Sequence, residues 1–80
     1  MKVAVVNWID SRSDDGWVER ERLDMRPADI TSVGEIVDET KDILCLALSR
    51  DRVSGQVSGL IYIPQRCITS KDIIIDEDGE

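Results

Sequence analysis

Hydrophobic and polar positions alternate in short runs along most of this chain, and polar turns separate the runs. Residues 1–9 are apolar and β-branched and end in a polar cluster, which predicts a first strand. Four further strands are predicted between residues 32 and 75, with the sequences SVGEIVDE, ILCLALS, QVSGLIYIP and RCITSKDIII. The pattern therefore predicts an all-β fold, a small, strongly bent, five-stranded antiparallel barrel with an N-terminal strand and a polar loop.

Side-chain alternation predicts which face of each strand is buried, because successive residues of a strand point to opposite sides. In the first strand, Ala4, Val6 and Trp8 should share one face, and Val3, Val5 and Asn7 the other. In the third strand, the larger side chains, Leu44, Leu46 and Leu48, are expected to point inside. The smaller set, Ile43, Cys45 and Ala47, is expected either on a partner surface or under thin cover.

Residues 10–29 separate the first strand from the others. The stretch 10–16 collects turn residues, and the charged stretch that follows is either irregular or one short helical turn before Pro27. Within the later strands, Gly34 is expected to mark a bulge or a sharp bend, and Gly59 offers another bend. The acidic tail, residues 76–80, is expected to be solvated and frayed.

Length and charge restrict the classes of function. Eighty residues make a single domain, 1–80, and both faces of several strands are too apolar to be buried within one such monomer. We therefore expect a homo-oligomer, a closed ring between a pentamer and a heptamer. The formal net charge of −7 disfavours nucleic acid as a partner, since an acidic surface repels the phosphate backbone, and leaves a protein as the favoured partner.

Residue types exclude several kinds of chemistry. Cys45 and Cys67 lie in apolar strand patterns, so they are either two reduced thiols or one disulfide between strands. Two cysteines without histidine cannot complete a zinc site, and we expect no cofactor and no metal. The start of the chain has no basic and apolar leader, and no run is long enough to span a membrane. The expectation is a protein of the cytoplasm that does not contact membranes.

A polar loop between two tryptophans is the first candidate ligand site. Trp8 and Trp17 would bracket a flat ligand by stacking, while Asp10, Ser11 and Asp14 supply polar contacts. The alternative is that each tryptophan packs on one end of the barrel or in a subunit interface. The acids of this loop lack the spacing of a calcium-binding loop.

Three arginines make the second candidate site. Arg50, Arg52 and Arg66 would gather at one end of the barrel and bind a phosphate or a carboxylate. The alternative is that they form ion pairs with Asp51, Asp42 or a neighbour's acidic tail. No serine of the chain has a general base beside it in the sequence pattern, so we predict that the protein is not an enzyme.

Residues 32–74 resemble the Sm-like fold, a strongly bent barrel of the wider SH3-like group. Gly34 lies in the first core strand. An acidic turn follows it, and then an aliphatic strand with Leu44, Leu46 and Leu48. A later strand then ends at Ile63, and Ile68 opens the last strand. This resemblance implies a ring that binds RNA at its inner rim. The chain departs from the Sm pattern, because the loop 39–42 lacks an aromatic residue and an asparagine, and no glycine follows Arg66.

The whole chain is also similar to small proteins of tailed phages and prophages, in which a tryptophan and Asp-Ser precede a polar loop and Gly-Trp. Here those positions are Trp8, Asp10, Ser11, Gly16 and Trp17. The resemblance implies an Sm-like ring in the cytoplasm of a bacterial host. Two hypotheses follow. The first is an accessory protein that engages a basic protein through its acidic surface; the alternative is a ring that binds RNA or a nucleotide at subunit interfaces through arginines and tryptophans.

Overall fold

The structure is a computed structural model that describes residues 1–77, and its five strands form one antiparallel sheet. Their order across the sheet is β4-β3-β2-β1-β5, so the first four strands form a meander and the last returns to β1. The strands are β1 (Lys2–Asp10), β2 (Ala28–Glu39), β3 (Ile43–Arg50), β4 (Val57–Pro64) and β5 (Ile68–Asp76). The prediction of an all-β chain is confirmed.

The strand boundaries differ from the prediction in two places. β2 begins at Ala28, four residues before Ser32, because its first residues pair with the end of β1, with Trp8 opposite Ile30. A single 3₁₀ turn at Gln65–Cys67 occupies the predicted start of the last strand. The predicted short turn in the charged stretch is confirmed as a 3₁₀ turn at Arg20–Arg22. Residues 78–80 of the predicted acidic tail lie outside the described residues.

One face of the sheet carries the hydrophobic core. The predicted inward face of β1 is confirmed, because Ala4 and Val6 are fully buried and Trp8 is 7% exposed. Buried residues of β3 and β4 complete this cluster, namely Leu44, Leu46 and Ile63. The buried core of the described chain contains apolar residues alone. No helix of three turns or more covers this face in residues 1–77.

β3 is the most buried strand, and its burial corrects the prediction. Cys45 and Ala47, which were expected on a partner surface or under thin cover, are buried within the chain. Leu48, which was expected inside, is 78% exposed. Leu48 lies on β3 beside Gly59 of β4, near the turn of the β3–β4 hairpin, where the Cβ of Leu48 fills the space that a side chain at Gly59 would need.

The two strand glycines have different roles. Gly59 has φ +68°, a conformation that favours glycine and confirms a local change of direction in β4. Gly34 is buried and packs directly against the backbone of Ala47 on β3. The register shift in β2 lies between Ile36 and Asp38 instead of at Gly34. The predicted bulge at Gly34 is therefore displaced by a few residues, and Gly34 is needed for close approach of two strands.

The outer strands of the sheet are both unpaired on one side, as far as the described residues go. Exposed apolar side chains lie on both of these edge strands, namely Leu60 and Tyr62 on β4 and Ile73, Ile74 and Ile75 on β5. Cys45 and Cys67 are free thiols, so the disulfide alternative is not formed. Within residues 1–77, no helix has the length and apolar character that crossing a membrane requires.

Candidate functional site

Residues 11–27, between β1 and β2, form an arm in which every residue is exposed. Large apolar side chains are among them, and Trp17 has the greatest exposure at 105%. The molecule is elongated, with extents of 56 × 23 × 20 Å. Exposed apolar residues on a polar arm are typical of a surface that binds another molecule.

Three charged residues form ion pairs at the base of the arm. Asp24 accepts hydrogen bonds from Arg26, with the Nε–Oδ1 distance 2.9 Å and the Nη2–Oδ2 distance 2.8 Å. Arg12 also reaches Asp24, with Nη1 3.1 Å from Oδ2. Hydrogen bonds from Arg26 and then from Arg12 lower the pKa of Asp24 well below its usual range. Asp24 therefore stays ionised under all ordinary conditions. Residues 13–23 form the part of the arm between the ion-paired residues Arg12 and Asp24.

The structure does not bring the two tryptophans together. Trp8 lies in the core, and its indole Nε1–H donates to Ser32 Oγ at 3.1 Å, so its ring is not available for stacking on a ligand. Asp10 ends β1 and accepts a hydrogen bond from the backbone N–H of Ser11 at 2.7 Å. Of the predicted site residues in this part of the chain, Trp17 is the one whose ring is fully accessible.

The three arginines of the second predicted site are also separated, because they lie at two different ends of the β3–β4 hairpin. Arg50 donates to both carboxylate oxygens of Glu35 on the neighbouring strand, with Nε 3.0 Å from Oε1. Arg52 lies in the β3–β4 turn, next to Arg50. Arg66 lies after Pro64, which pairs with Ile43 at the opposite end of the hairpin. The ion-pair alternative is thus right in kind for Arg50, and one carboxylate partner is Glu35, which was not among those predicted.

An apolar groove lies on the outer surface of β2, β3 and β4, at the end of the sheet where the β2–β3 turn lies. Its volume is ≈ 390 Å³, within the roughly 300–1,000 Å³ range of sites that hold small molecules. The residues that line the groove are Val37, Asp38, Glu39, Thr40, Ile43, Cys45, Leu60 and Tyr62. Sequence reasoning missed the groove; the available signal was the apolar character of both faces of β4.

Hydrogen bonds fix the polar rim of the groove. Glu39 accepts from Lys71 Nζ and from Gln65 Nε2, each at 2.8 Å. These two hydrogen bonds, that of Lys71 first, lower the pKa of Glu39, and the Arg50 hydrogen bond lowers the pKa of Glu35. Because both pKa values are lowered on folding, these ion pairs stabilise the fold above the ordinary carboxyl pKa and lose their effect as the pH falls through the lowered values.

A second, basic cleft lies beside the groove, between the β2–β3 turn and the 3₁₀ turn before β5. Its volume is ≈ 280 Å³, and Lys41 and Arg66 both line it. The backbone N–H of Gln65 donates to the carbonyl of Asp42 at 2.9 Å and holds the two turns together. Neither Lys41 nor Arg66 forms an ion pair within residues 1–77, so the cleft presents two cations to solvent.

Metal binding has no support in the described part of the chain, where no three histidine, cysteine, aspartate or glutamate side chains approach closely enough to hold an ion. Comparisons of the chain with protein-family models, with curated proteins and with solved structures find no match. The arm, the groove and the basic cleft are therefore the features from which function is argued.

Proposed function

We propose that this chain is a non-enzymatic, self-assembling binding protein of the kind that phages and prophages encode, and that its assembled acidic surface engages a basic protein. The observation that carries this proposal is the pair of unpaired edge strands, β4 and β5, each with exposed apolar side chains. Backbone N–H and C=O groups along such an edge pair readily with a strand of another chain.

Burial on one face of the sheet supports the Sm-like or SH3-like barrel as the architecture of each subunit. Ala4, Val6, Leu44 and Ile63 are fully buried although no layer of secondary structure lies over them in residues 1–77. A flat sheet leaves both of its faces in water, so burial of this degree requires the sheet to curl over its own core. In our proposal the curled sheet brings β4 and β5 to opposite flanks of the subunit.

A head-to-tail arrangement follows from that geometry. The β4 edge of one copy pairs with the β5 edge of the next, and repetition of this contact closes a ring. Exposed apolar side chains of the two edges, among them Leu60 on β4 and Ile73 to Ile75 on β5, then lie in or beside the contact. Such burial resolves the excess of apolar surface that a single copy leaves exposed.

The charge of the surface favours a basic partner. The chain carries a formal net charge of −7, and several of its cations are already engaged in ion pairs with its own carboxylates: Arg12, Arg22, Arg26, Arg50 and Lys71. A ring multiplies this charge by the number of its subunits. A multivalent acidic surface attracts a basic protein at long range and competes for surfaces that otherwise bind nucleic acid.

Replacing Ile74 by aspartate is expected to abolish assembly. Ile74 is 55% exposed on the β5 edge, so a carboxylate there is tolerated by one copy but is buried without a partner when two edges meet. Sedimentation velocity measures the oligomeric state. Val53→Asp is the matched control, because Val53 is 97% exposed in the β3–β4 turn, outside the residues of both edge strands. If Ile74→Asp assembles as the unchanged protein does, the β5 edge is not the interface.

Phosphate binding in the basic cleft is a second candidate function, favoured by Lys41 and Arg66, which line one small cavity together with Asp42 and form no ion pair within residues 1–77. RNA or a nucleotide would supply the phosphate. Two of the groups first considered for such binding are used elsewhere, since Trp8 is buried and Arg50 is paired with Glu35. The overall negative charge opposes this function as well.

Two probes separate the two functions. Poly-L-lysine and single-stranded poly-U RNA are each titrated with the protein at increasing salt. The first function predicts poly-L-lysine binding that weakens as salt rises, and binding by Ile74→Asp that is weaker than that of the unchanged protein. That variant is more acidic, so charge alone predicts the reverse. RNA binding that disappears in Lys41→Glu/Arg66→Glu would instead establish the second function.

A further inference from the structure

We propose that the arm of one copy, residues 11–27, docks through Trp17 into the groove of the next copy in the assembly. This inference deepens the proposed function and depends on the pairing of the β4 and β5 edges. It assigns an occupant to the groove and a role to the exposed arm. Within residues 1–77 of a single copy, both features expose apolar side chains to water.

The arm does not fill the groove of its own copy, because the Trp17 ring is fully exposed. It leaves the sheet where Asp10 pairs with Ala28, at the start of β2, whereas the groove lies at the other end of β2, from Val37 onward. Nine residues of strand separate these points, a distance of about 30 Å. Trp17 is seven residues from Asp10, and a fully extended chain of that length reaches at most about 25 Å.

Antiparallel pairing of the two edges places the neighbour's arm beside the groove. The end of β4 at Tyr62 and Pro64 lines the groove and the cleft beside it, and antiparallel pairing sets this end against the start of the neighbour's β5. β5 starts at Ile68, which pairs with Trp8, two residues before the end of β1. The root of the neighbour's arm then lies about two strand spacings, roughly 10 Å, from β4, well within the reach of Trp17.

The groove suits an indole ring in shape and chemistry. Val37, Ile43 and Leu60 supply apolar contacts, Tyr62 supplies an aromatic surface, and the volume of ≈ 390 Å³ accommodates one large side chain. A tryptophan buries about 150–250 Å² at such a site, a substantial addition to an interface that needs roughly 1,200 Å² or more in total. Tryptophan is also among the residues that most often dominate the affinity of an interface.

One cation of the arm can pair with an anion of the groove, within an arm that carries five acidic and four basic residues in all. Arg20 lies three residues after Trp17, and Asp38 lies on the rim of the groove. Neither side chain forms an ion pair within the described residues. Asp38 instead accepts a hydrogen bond from the backbone N–H of Glu39 at 2.8 Å, which holds its carboxylate at the rim. Docking of the arm pairs the cation of one copy with the anion of the next.

The test is the affinity of assembly of the full chain carrying Trp17→Asp. Sedimentation velocity over a range of concentrations should give a dissociation constant about 30-fold weaker than that of the unchanged protein, the loss typical of a dominant tryptophan. Val53→Asp should assemble normally, since Val53 has a similar exposure away from the groove. Both substituted side chains are exposed, so the unfolding free energies of the isolated subunits should match and exclude a folding defect.

A charge exchange provides a second measurement. Arg20→Glu and Asp38→Lys should each weaken assembly, and the double variant should recover most of the affinity. Assembly of Trp17→Asp with unchanged affinity would overturn the docking of the arm while leaving the ring intact. A monomeric unchanged protein at every concentration would overturn the ring as well, so the two failures are distinguishable.

Discussion

The Trp8→Ala protein is expected to lose about 3–5 kcal/mol of unfolding free energy, the usual cost of removing a buried tryptophan from a core. Trp8 is 7% exposed and packs in the core cluster between its cross-strand neighbours Ile30 and Ile68. Its indole N–H also donates to Ser32 Oγ, so truncation leaves a cavity and an unpaired hydroxyl. A chain of this size has about 4–12 kcal/mol of stability in total, so much of it is lost.

Urea unfolding followed by circular dichroism measures this loss, and Trp17→Ala is its matched control. Because Trp17 has no packing partner within the copy, its replacement should change the unfolding free energy of the isolated subunit by no more than about 0.5 kcal/mol. Equal stabilities of the two variants would mean that Trp8 is not a core residue. The prediction that Trp8 forms one wall of a ligand site would then be supported again.

The Gly34→Val protein is expected to be destabilised by about 3 kcal/mol through overpacking between two strands. A Cβ atom at position 34 would lie 2.7 Å from the carbonyl oxygen of Ala47 and 3.3 Å from the Cβ of Leu46. The Ala47 oxygen is backbone, held by the pairing of Ala47 with Glu35, and it cannot rotate away as a side chain would. The cost exceeds the roughly 1 kcal/mol that valine gains over weaker strand formers.

Gly16→Val is the control for this substitution, because a Cβ atom at Gly16 meets nothing within 4 Å and the φ of Gly16 is not positive. Its unfolding free energy should lie close to that of the unchanged protein. The same urea titration compares the two variants. Equal stability of Gly34→Val and Gly16→Val would show that β2 and β3 separate at this point without cost, contrary to the packing described above.

Alternation of side chains was sufficient to predict the strands and most of the core. It separated Ala4, Val6 and Trp8 from the outer face of β1, and it placed Leu44 and Leu46 inside, because period-two burial is a local property of a strand. It was wrong for Leu48, whose exposure depends on where the neighbouring β4 bends at Gly59. That bend belongs to another part of the sequence, and local alternation carries no information about it.

The site was less predictable, because it depends on register between strands. Arg50 meets Glu35 since β2 and β3 pair in the register that sets Glu35 opposite Ala47, and a register shift follows at Ile36 to Asp38. Neither the register nor the shift can be read from the residues alone. The groove arises in the same way, from residues of three strands. The sequence did identify Trp17 as a candidate, and the structure leaves its ring exposed.

Self-assembly is the central claim, and the mass of the unchanged protein in solution tests it most directly. Sedimentation velocity and native mass spectrometry, on protein purified without denaturant, should show one closed oligomer between a pentamer and a heptamer of the 9.0 kDa chain at micromolar concentration. The exposed apolar edges of β4 and β5 are the physical reason to expect it. A single species of 9.0 kDa at every concentration would contradict the account, together with the ring and the arm that depend on it.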